Sequence, residues 1–253
     1  MKKSQYIYGI HAVKSLLDKN PSRIMRLHVA KERMDQKIQS LIDLAEAAHI
    51  PIELTTRNAL TQLTHSDRHQ GVMASCHRSK SFSENDLADM IAALSGPVLF
   101  LILDGVQDPH NLGACLRTAD ALGVHAVIAP RDRSVGLTET VAKVASGAAE
   151  TVPFIQVTNL SRTLSFLKEN NIWIYGADAE AAKTLYEENL TGSVALVMGA
   201  EGTGLRRLTR ECCDGLLKIP MQGAVSSLNV SVATGIFLCE VVRQRLIISA
   251  SRL

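Results

Sequence analysis

Beyond residue 97, short apolar runs recur at intervals that suit a buried, mostly parallel sheet. Val98–Leu103 is apolar at every position, as a strand covered on both faces must be. Comparable runs occupy Ala126–Ala129, Phe154–Val157, Ile172–Tyr175, Val194–Met198 and Leu216–Ile219. Helical periodicity fills the gaps at Leu112–Leu122, Thr138–Ala145, Leu160–Lys168 and Leu205–Cys212, and a long last helix is predicted over about Leu228–Leu246. Strand and helix alternating in this way specify an α/β fold. Open sheets of that class bind ligands at the carboxyl ends of their strands, so polar residues placed there are the site candidates.

Three such segments stand out. The first, Asp108-Pro-His-Asn-Leu-Gly-Ala-Cys-Leu-Arg-Thr-Ala119, follows the Val98–Leu103 run. Here Asn111 is suited to cap a helix and Gly113 permits close approach. Arg117 lies two turns further along an otherwise apolar side; it either serves a ligand or pairs with an acid such as Asp120 or Glu150. His110, beside Pro109, suits a turn better than a base. The second, Ala195-Leu-Val-Met-Gly-Ala-Glu-Gly-Thr-Gly-Leu205, runs a strand into a glycine-rich turn. Its glycines lack the spacing of the dinucleotide fingerprint, and the phosphate-loop lysine is missing. Glu201 in that turn favours a cationic or hydroxyl-bearing ligand over a pyrophosphate.

The third segment, Ile219 to Ile236, opens a hydrophobic helix with Ser226, Ser227, Asn229 and Ser231. Capping accounts for one serine. Asn229 and Ser231, placed inside the helix by this reading, compete there with backbone hydrogen bonding, which suggests that they face a bound molecule.

Residues before 80 read as a separate small α/β unit. Its expected elements are a helix at His11–Leu17, a strand at Ile24–Ala30, a helix at Lys37–Ala47, and strands near Ile52 and at Val72–Cys76. Ser79–Asn85 suits a linker and Leu87–Leu94 a short helix, dividing the chain into 1–80, a connecting 81–97 and 98–253. Charge divides it too. Residues 1–80 hold 13 Lys and Arg against 7 Asp and Glu, whereas 81–253 hold 14 against 18. A basic first part suits a phosphate backbone, although an ordinary basic surface would look much the same. With 46% hydrophobic and 21% charged residues the chain is expected to be a globular, cytoplasmic protein without membrane segments. Its five cysteines, Cys76, Cys115, Cys212, Cys213 and Cys239, lack metal-ligand spacing, so no metal is expected; most are expected to be buried.

Taken together, Asn111-x-Gly113-x-x-x-Arg117-x-Ala119, Met198-Gly-Ala-Glu-Gly-x-Gly204, Ile219-Pro-Met221 and Ser227-Leu-Asn-Val-Ser-Val232 resemble the ribose-methylating branch of the SPOUT methyltransferases, the TrmH/SpoU family. Tyr8-Gly-Ile-His-Ala-Val13 and His69-Gln-Gly71 look like the small L30e-like RNA-binding domain of its ribosomal RNA members. The resemblance implies an α/β fold with a trefoil-knotted catalytic domain that binds S-adenosylmethionine and dimerises through the knot. It also implies 2′-O-methylation of a guanosine ribose in 23S ribosomal RNA. By the same resemblance Asn111, Arg117, Glu201, Ser227 and Asn229 are catalytic, and Gly176, Ala177, Gly199, Ala200, Gly202, Ile219, Met221 and Leu228 hold the cofactor. Arg117 is expected to orient the ribose and stabilise charge; as general base its pKa would have to fall from about 13.8 to about 7, costing roughly 9 kcal/mol. A nicotinamide-dependent dehydrogenase would carry its glycine fingerprint after the first strand. A non-catalytic RNA-binding protein on the same fold remains the alternative, and S-adenosylmethionine binding separates the two.

Overall fold

The computed structural model describes residues 5–33, 35–77 and 82–250. The chain divides into two units, residues 1–80 with 146–151, and residues 81–145 with 152–253. Residues 79–81 of the expected Ser79–Asn85 linker lie outside the described residues.

The first unit comprises β1 (Gln5–Tyr8), α1 (Ile10–Lys19), β2 (Ile24–Ala30), α2 (Gln36–Ala47), β3 (Ile52–Thr55), α3 (Arg57–Thr64) and β4 (Val72–Cys76). Its sheet runs β1-β4-β2-β3; β2 and β3 are parallel, and the other two ladders are antiparallel. Val13 and Leu16 of α1 and Ile38 and Leu41 of α2 are buried against Leu27, Val29 and Ala74 of the strands. The two N-terminal motifs meet at one turn. His69 is fully buried, and its Nδ1 accepts the Gly71 N–H at 3.1 Å. That acceptor role leaves the proton on Nε2, which lies 3.1 Å from Thr61 Oγ1. Gln70 has a left-handed backbone (φ 54°), and its Oε1 accepts the Ile10 N–H at 2.9 Å. Gly9, at the N-cap of α1, has no side chain to make that bond.

In the second unit α4 (Asp86–Ala93) precedes β5 (Leu99–Asp104), α5 (Pro109–Ala121), β6 (Ala126–Pro130) and α6 (Glu139–Val144). The short α7 (Ala148–Thr151) clusters with the first unit. There follow β7 (Phe154–Val157), α8 (Leu160–Glu169), β8 (Trp173–Ala177), β9 (Lys183–Thr184), β10 (Val194–Gly199), α9 (Arg207–Cys212), β11 (Gly215–Lys218) and α10 (Val230–Ala250). The strands form one sheet in the order β7-β6-β5-β10-β8-β11-β9, and every ladder is parallel. β5, apolar on both faces, is buried throughout. From β5 the chain moves outward to β6 and β7, then crosses to β8 and returns to place β10 between β5 and β8. That reversal puts a topological switch point at the carboxyl ends of β5, β10 and β8.

Two helix starts differ from expectation. Asp108, rather than Asn111, caps α5, its side chain accepting the His110 N–H at 2.9 Å. Pro109 takes the first helical position, where its missing N–H costs nothing, and Asn111 falls inside the helix and is buried. Gly113 does permit close approach, but to α6: a Cβ there would lie 2.6 Å from the Val144 Cβ. The last helix begins at Val230, which makes Asn229 its cap rather than an interior residue. Cys76 and Cys115 are buried, Cys212 and Cys213 half-buried and Cys239 exposed, so burial accounts for fewer of the cysteines than expected. Burial pushes the Cys76 and Cys213 thiols up to about 12 and that of Cys115 to about 11. Among the described residues no three His, Cys, Asp or Glu side chains are grouped to hold a metal ion, and no helix is long and apolar enough to cross a membrane.

Candidate active site

The glycine turn after β10 closes on itself. Ala200 and Gly204 exchange backbone hydrogen bonds at 3.1 and 2.9 Å, and Gly202 and Gly204 take positive φ values of 76° and 66°, open to glycine at little cost. A Cβ on Gly199 would lie 2.2 Å from the carbonyl carbon of Gly204, so only glycine fits. The turn carries the exposed Glu201 toward the start of α10.

Asn229 joins the three segments. Its Oδ1 accepts from the Ser231 N–H at 2.9 Å and the Ser231 hydroxyl at 2.6 Å. With the oxygen committed to the helix, the amide nitrogen must point the other way. There Nδ2 donates to Asn111 Oδ1 at 3.0 Å and to Glu201 Oε1 at 2.5 Å. One side chain thus caps α10 and bridges α5 to the glycine turn. Glu201 Oε2 has no protein partner among the described residues and is left to accept from a ligand.

Arg117 stands apart from this chain. It is exposed on α5 and makes no ion pair among the described residues, with Glu201 or with either acid considered from the sequence. Glu150 is paired with Arg23 at 2.9 Å. His110 is an exposed first-turn residue of α5.

Between the ends of β8, β10 and β11 and the segment leading into α10 lies a cavity of about 720 Å³, a size that holds a nucleoside-like ligand. Of the expected cofactor residues, Ala177, Gly199, Ala200, Gly202, Ile219, Met221 and Leu228 line it, as do Glu201, Ser227 and Asn229. Asn111 borders it only through Asn229, and Arg117 lies outside the lining. Gly176 is also outside: it is buried, and a Cβ there would meet Leu205 Cδ1 at 2.7 Å and Cys213 Sγ at 2.9 Å. Its role is to let Leu205 pack across β8. A smaller hollow of about 460 Å³ between α4 and α8 contains none of the candidates.

Sequence reasoning missed Asp178, Glu180, Arg210 and Lys218, which also line the cavity. Asp178 follows β8 directly and pairs with Arg210 at 2.8 Å; its position at a strand's carboxyl end was a usable signal. Three carboxylates thus face two cations, with Met198, Leu205, Leu217 and Phe237 supplying apolar wall. S-adenosylmethionine fits this set: it offers an aromatic base to the apolar wall, hydroxyls and two cationic centres to the carboxylates, and one carboxylate to the cations.

The chain matches the SpoU rRNA Methylase family over residues 98–239 and the RNA 2'-O ribose methyltransferase substrate binding family over residues 6–82. It is 57% identical over 242 residues to the 23S rRNA (guanosine-2'-O-)-methyltransferase RlmB of Photorhabdus laumondii, covering 96% of this chain and 99% of that one. The Escherichia coli K12 protein of the same name gives the same identity and coverage. Among solved structures, an RNA 2'-O ribose methyltransferase superposes with a TM-score of 0.73 at 26% identity, covering 97% of this chain and 90% of that one. The SpoU methyltransferase AviRb from Streptomyces viridochromogenes, in complex with AdoMet, gives 0.75 at 20% identity over 96% and 91%, a likeness of fold. The fold is the SPOUT α/β knot preceded by a smaller α/β unit. With more than half its length matched to one methylase family, the chain belongs to the SpoU rRNA methylase family.

Proposed function

We propose that the protein methylates the 2′-hydroxyl of a guanosine ribose in 23S ribosomal RNA, using S-adenosylmethionine, as a cytoplasmic homodimer. The observation that carries this reading is the Asn111–Asn229–Glu201 hydrogen-bonded chain set on the rim of a cavity that suits the cofactor.

S-adenosylmethionine, when bound, supplies the electrophilic methyl group. Ala177, Gly199, Ala200, Gly202, Ile219, Met221 and Leu228 would hold it, mainly through backbone amides and carbonyls that need no long side chain. Gly176 acts indirectly, by seating Leu205. The remaining groups serve the ribose. Asn229 is held at both ends of its amide, so Glu201 is presented in one orientation and keeps Oε2 for a ribose hydroxyl. Preorganised groups of this kind spend no reorganisation energy during reaction. Ser227, exposed at the cavity edge, adds a hydroxyl without a protein partner among the described residues. Arg117, exposed and without an ion-pair partner among the described residues, has its fork of donors available for the ribose oxygen and a neighbouring phosphate. We assign it the orienting and charge-stabilising role, with the proton leaving late, because a guanidinium gives up its proton only at high cost.

The first unit would grip the RNA. Its excess of 13 Lys and Arg over 7 Asp and Glu within residues 1–80 and its match to a substrate-binding family support that role. Dimerisation is supported by α10, which leaves Val232, Leu246 and Ile247 between 51% and 62% exposed, an apolar surface that a second copy would cover. The test is transfer of labelled methyl from S-adenosylmethionine to 23S ribosomal RNA by the purified protein after exhaustive chelation. Transfer is expected; RNA binding without cofactor binding would instead favour a non-catalytic RNA-binding protein.

A further inference from the structure

Asp104, the last residue of the central strand β5, is a fully buried carboxylate. Such a group is held only when it is well paired, and among the described residues its side-chain partners all come from one residue 102 positions later. Asp104 Oδ2 accepts the Arg206 backbone N–H at 3.1 Å. Asp104 Oδ1 accepts from Nε and Nη2 of the same arginine. Both the main chain and the side chain of Arg206 are therefore fastened to β5.

The place of that attachment gives it meaning. Arg206 directly follows Gly199–Leu205, the turn that walls the cavity and carries Glu201. Leu205, one residue earlier, is seated over Gly176 of β8. The turn's exit is thus pinned to the strands on both sides of β10, and Gly204 is folded back against Gly199. Only Glu201-Gly202-Thr203 projects, and Glu201 ends on Asn229. A cavity wall that keeps one shape before and after a ligand enters needs attachments of this kind.

We infer that Asp104 and Arg206 form a latch that positions the glycine turn for catalysis, Asp104 being a positioning residue that acts through Arg206 and Glu201. The inference rests on the reading of the cavity as the S-adenosylmethionine site. Asp104→Asn keeps shape but replaces one acceptor by a donor facing donors. Arg206→Gln keeps the backbone bond and removes the guanidinium, and Arg206→Lys restores a charge that reaches one oxygen.

Calorimetric titration with S-adenosylmethionine and steady-state methyl transfer are measured on the full chain for all three variants and the unaltered protein. A lost charge-assisted bond corresponds to about tenfold or more. Asp104→Asn and Arg206→Gln are expected to weaken cofactor binding and raise its KM by that factor and to lower kcat. The KM for RNA should not move, and Arg206→Lys should recover part of both losses. A purely structural pair would lower the melting temperature and the active fraction while leaving both KM values of the surviving enzyme unchanged, and that result overturns the inference. If Asp104→Asn does not fold, the variants at the half-buried Arg206 decide alone. Failure of the unaltered protein to bind the cofactor would overturn the cavity reading and the latch with it, whereas normal binding by every variant overturns the latch alone.

Discussion

Replacing Asn229 by Asp separates the two tasks of its side chain. An aspartate caps a helix as well as asparagine does, so the bonds from the Ser231 N–H and hydroxyl survive. Both bonds from Nδ2 are lost, because a carboxylate donates nothing. The bond to Asn111 is neutral and ends on a buried residue; losing it costs about 1 kcal/mol. The bond to Glu201 is charge-assisted but exposed, which reduces its share to about 1 kcal/mol. Asn229→Asp is therefore expected to destabilise the second unit by about 2 kcal/mol near neutral pH. Asn229→Ala loses the cap as well, adding about 1 kcal/mol. The new carboxyl beside Glu201 holds its proton to higher pH in the folded than in the unfolded state, so the aspartate variant should lose stability as pH rises through the carboxylate range. Urea unfolding at several pH values measures stability, and methyl transfer measures function. Both variants should lose most turnover, and aspartate should be the more stable of the two in acid. Near-normal turnover in Asn229→Asp, or stability independent of pH, would refute the bridging role.

Four further outcomes follow from the same geometry. Arg117→Ala should lose turnover and keep cofactor affinity, since the side chain lies outside the cavity lining; Arg117→Lys should also be poor for want of the planar fork, and near-normal turnover by lysine would show that charge alone suffices. Gly199→Ala should abolish cofactor binding in calorimetry, because its Cβ would collide with the Gly204 carbonyl carbon at 2.2 Å. Burial first, and Arg57 second, push the His69 pKa below its ordinary 6.5; a depressed histidine contributes stability that is complete above about 6.5 and is lost as pH falls below it. Chemical unfolding of the first unit between pH 7 and 5 should show that loss, reduced in His69→Gln. A chain beginning at Asn85 should bind RNA more weakly and with a shallower salt dependence, because fewer counterions are released; an unchanged salt slope would remove the first unit from recognition.

The strands of the second unit were legible because burial on both faces leaves continuous apolar runs: Val98–Leu103 anticipates β5 to within a residue at each end. The misplaced caps have a shared cause. Asp108 and Asn111 are both good cap residues three positions apart, and Pro109 was the signal that decides between them. Asn229 looks anomalous in the sequence as a helix-interior residue, yet it is an ordinary cap whose amide nitrogen makes the unusual bonds. α3 escaped notice because only Leu60 of its eight residues is buried, too little for an apolar period to register. The insertion of β10 between β5 and β8 has no local signal; only the resemblance implied the knotted arrangement. Asp104 and Arg206, 102 residues apart, were invisible for the same reason.

The central claim is that the Asn111–Asn229–Glu201 chain and its cavity serve ribose methylation. Alkaline cleavage of 23S ribosomal RNA treated with the protein and S-adenosylmethionine tests it most directly, because a 2′-O-methyl group blocks hydrolysis at its own nucleotide. One new resistant position, at a guanosine, is predicted with the unaltered protein and none with Asn229→Asp. Methyl incorporation that leaves the cleavage ladder unchanged would place the methyl on a base and contradict the account.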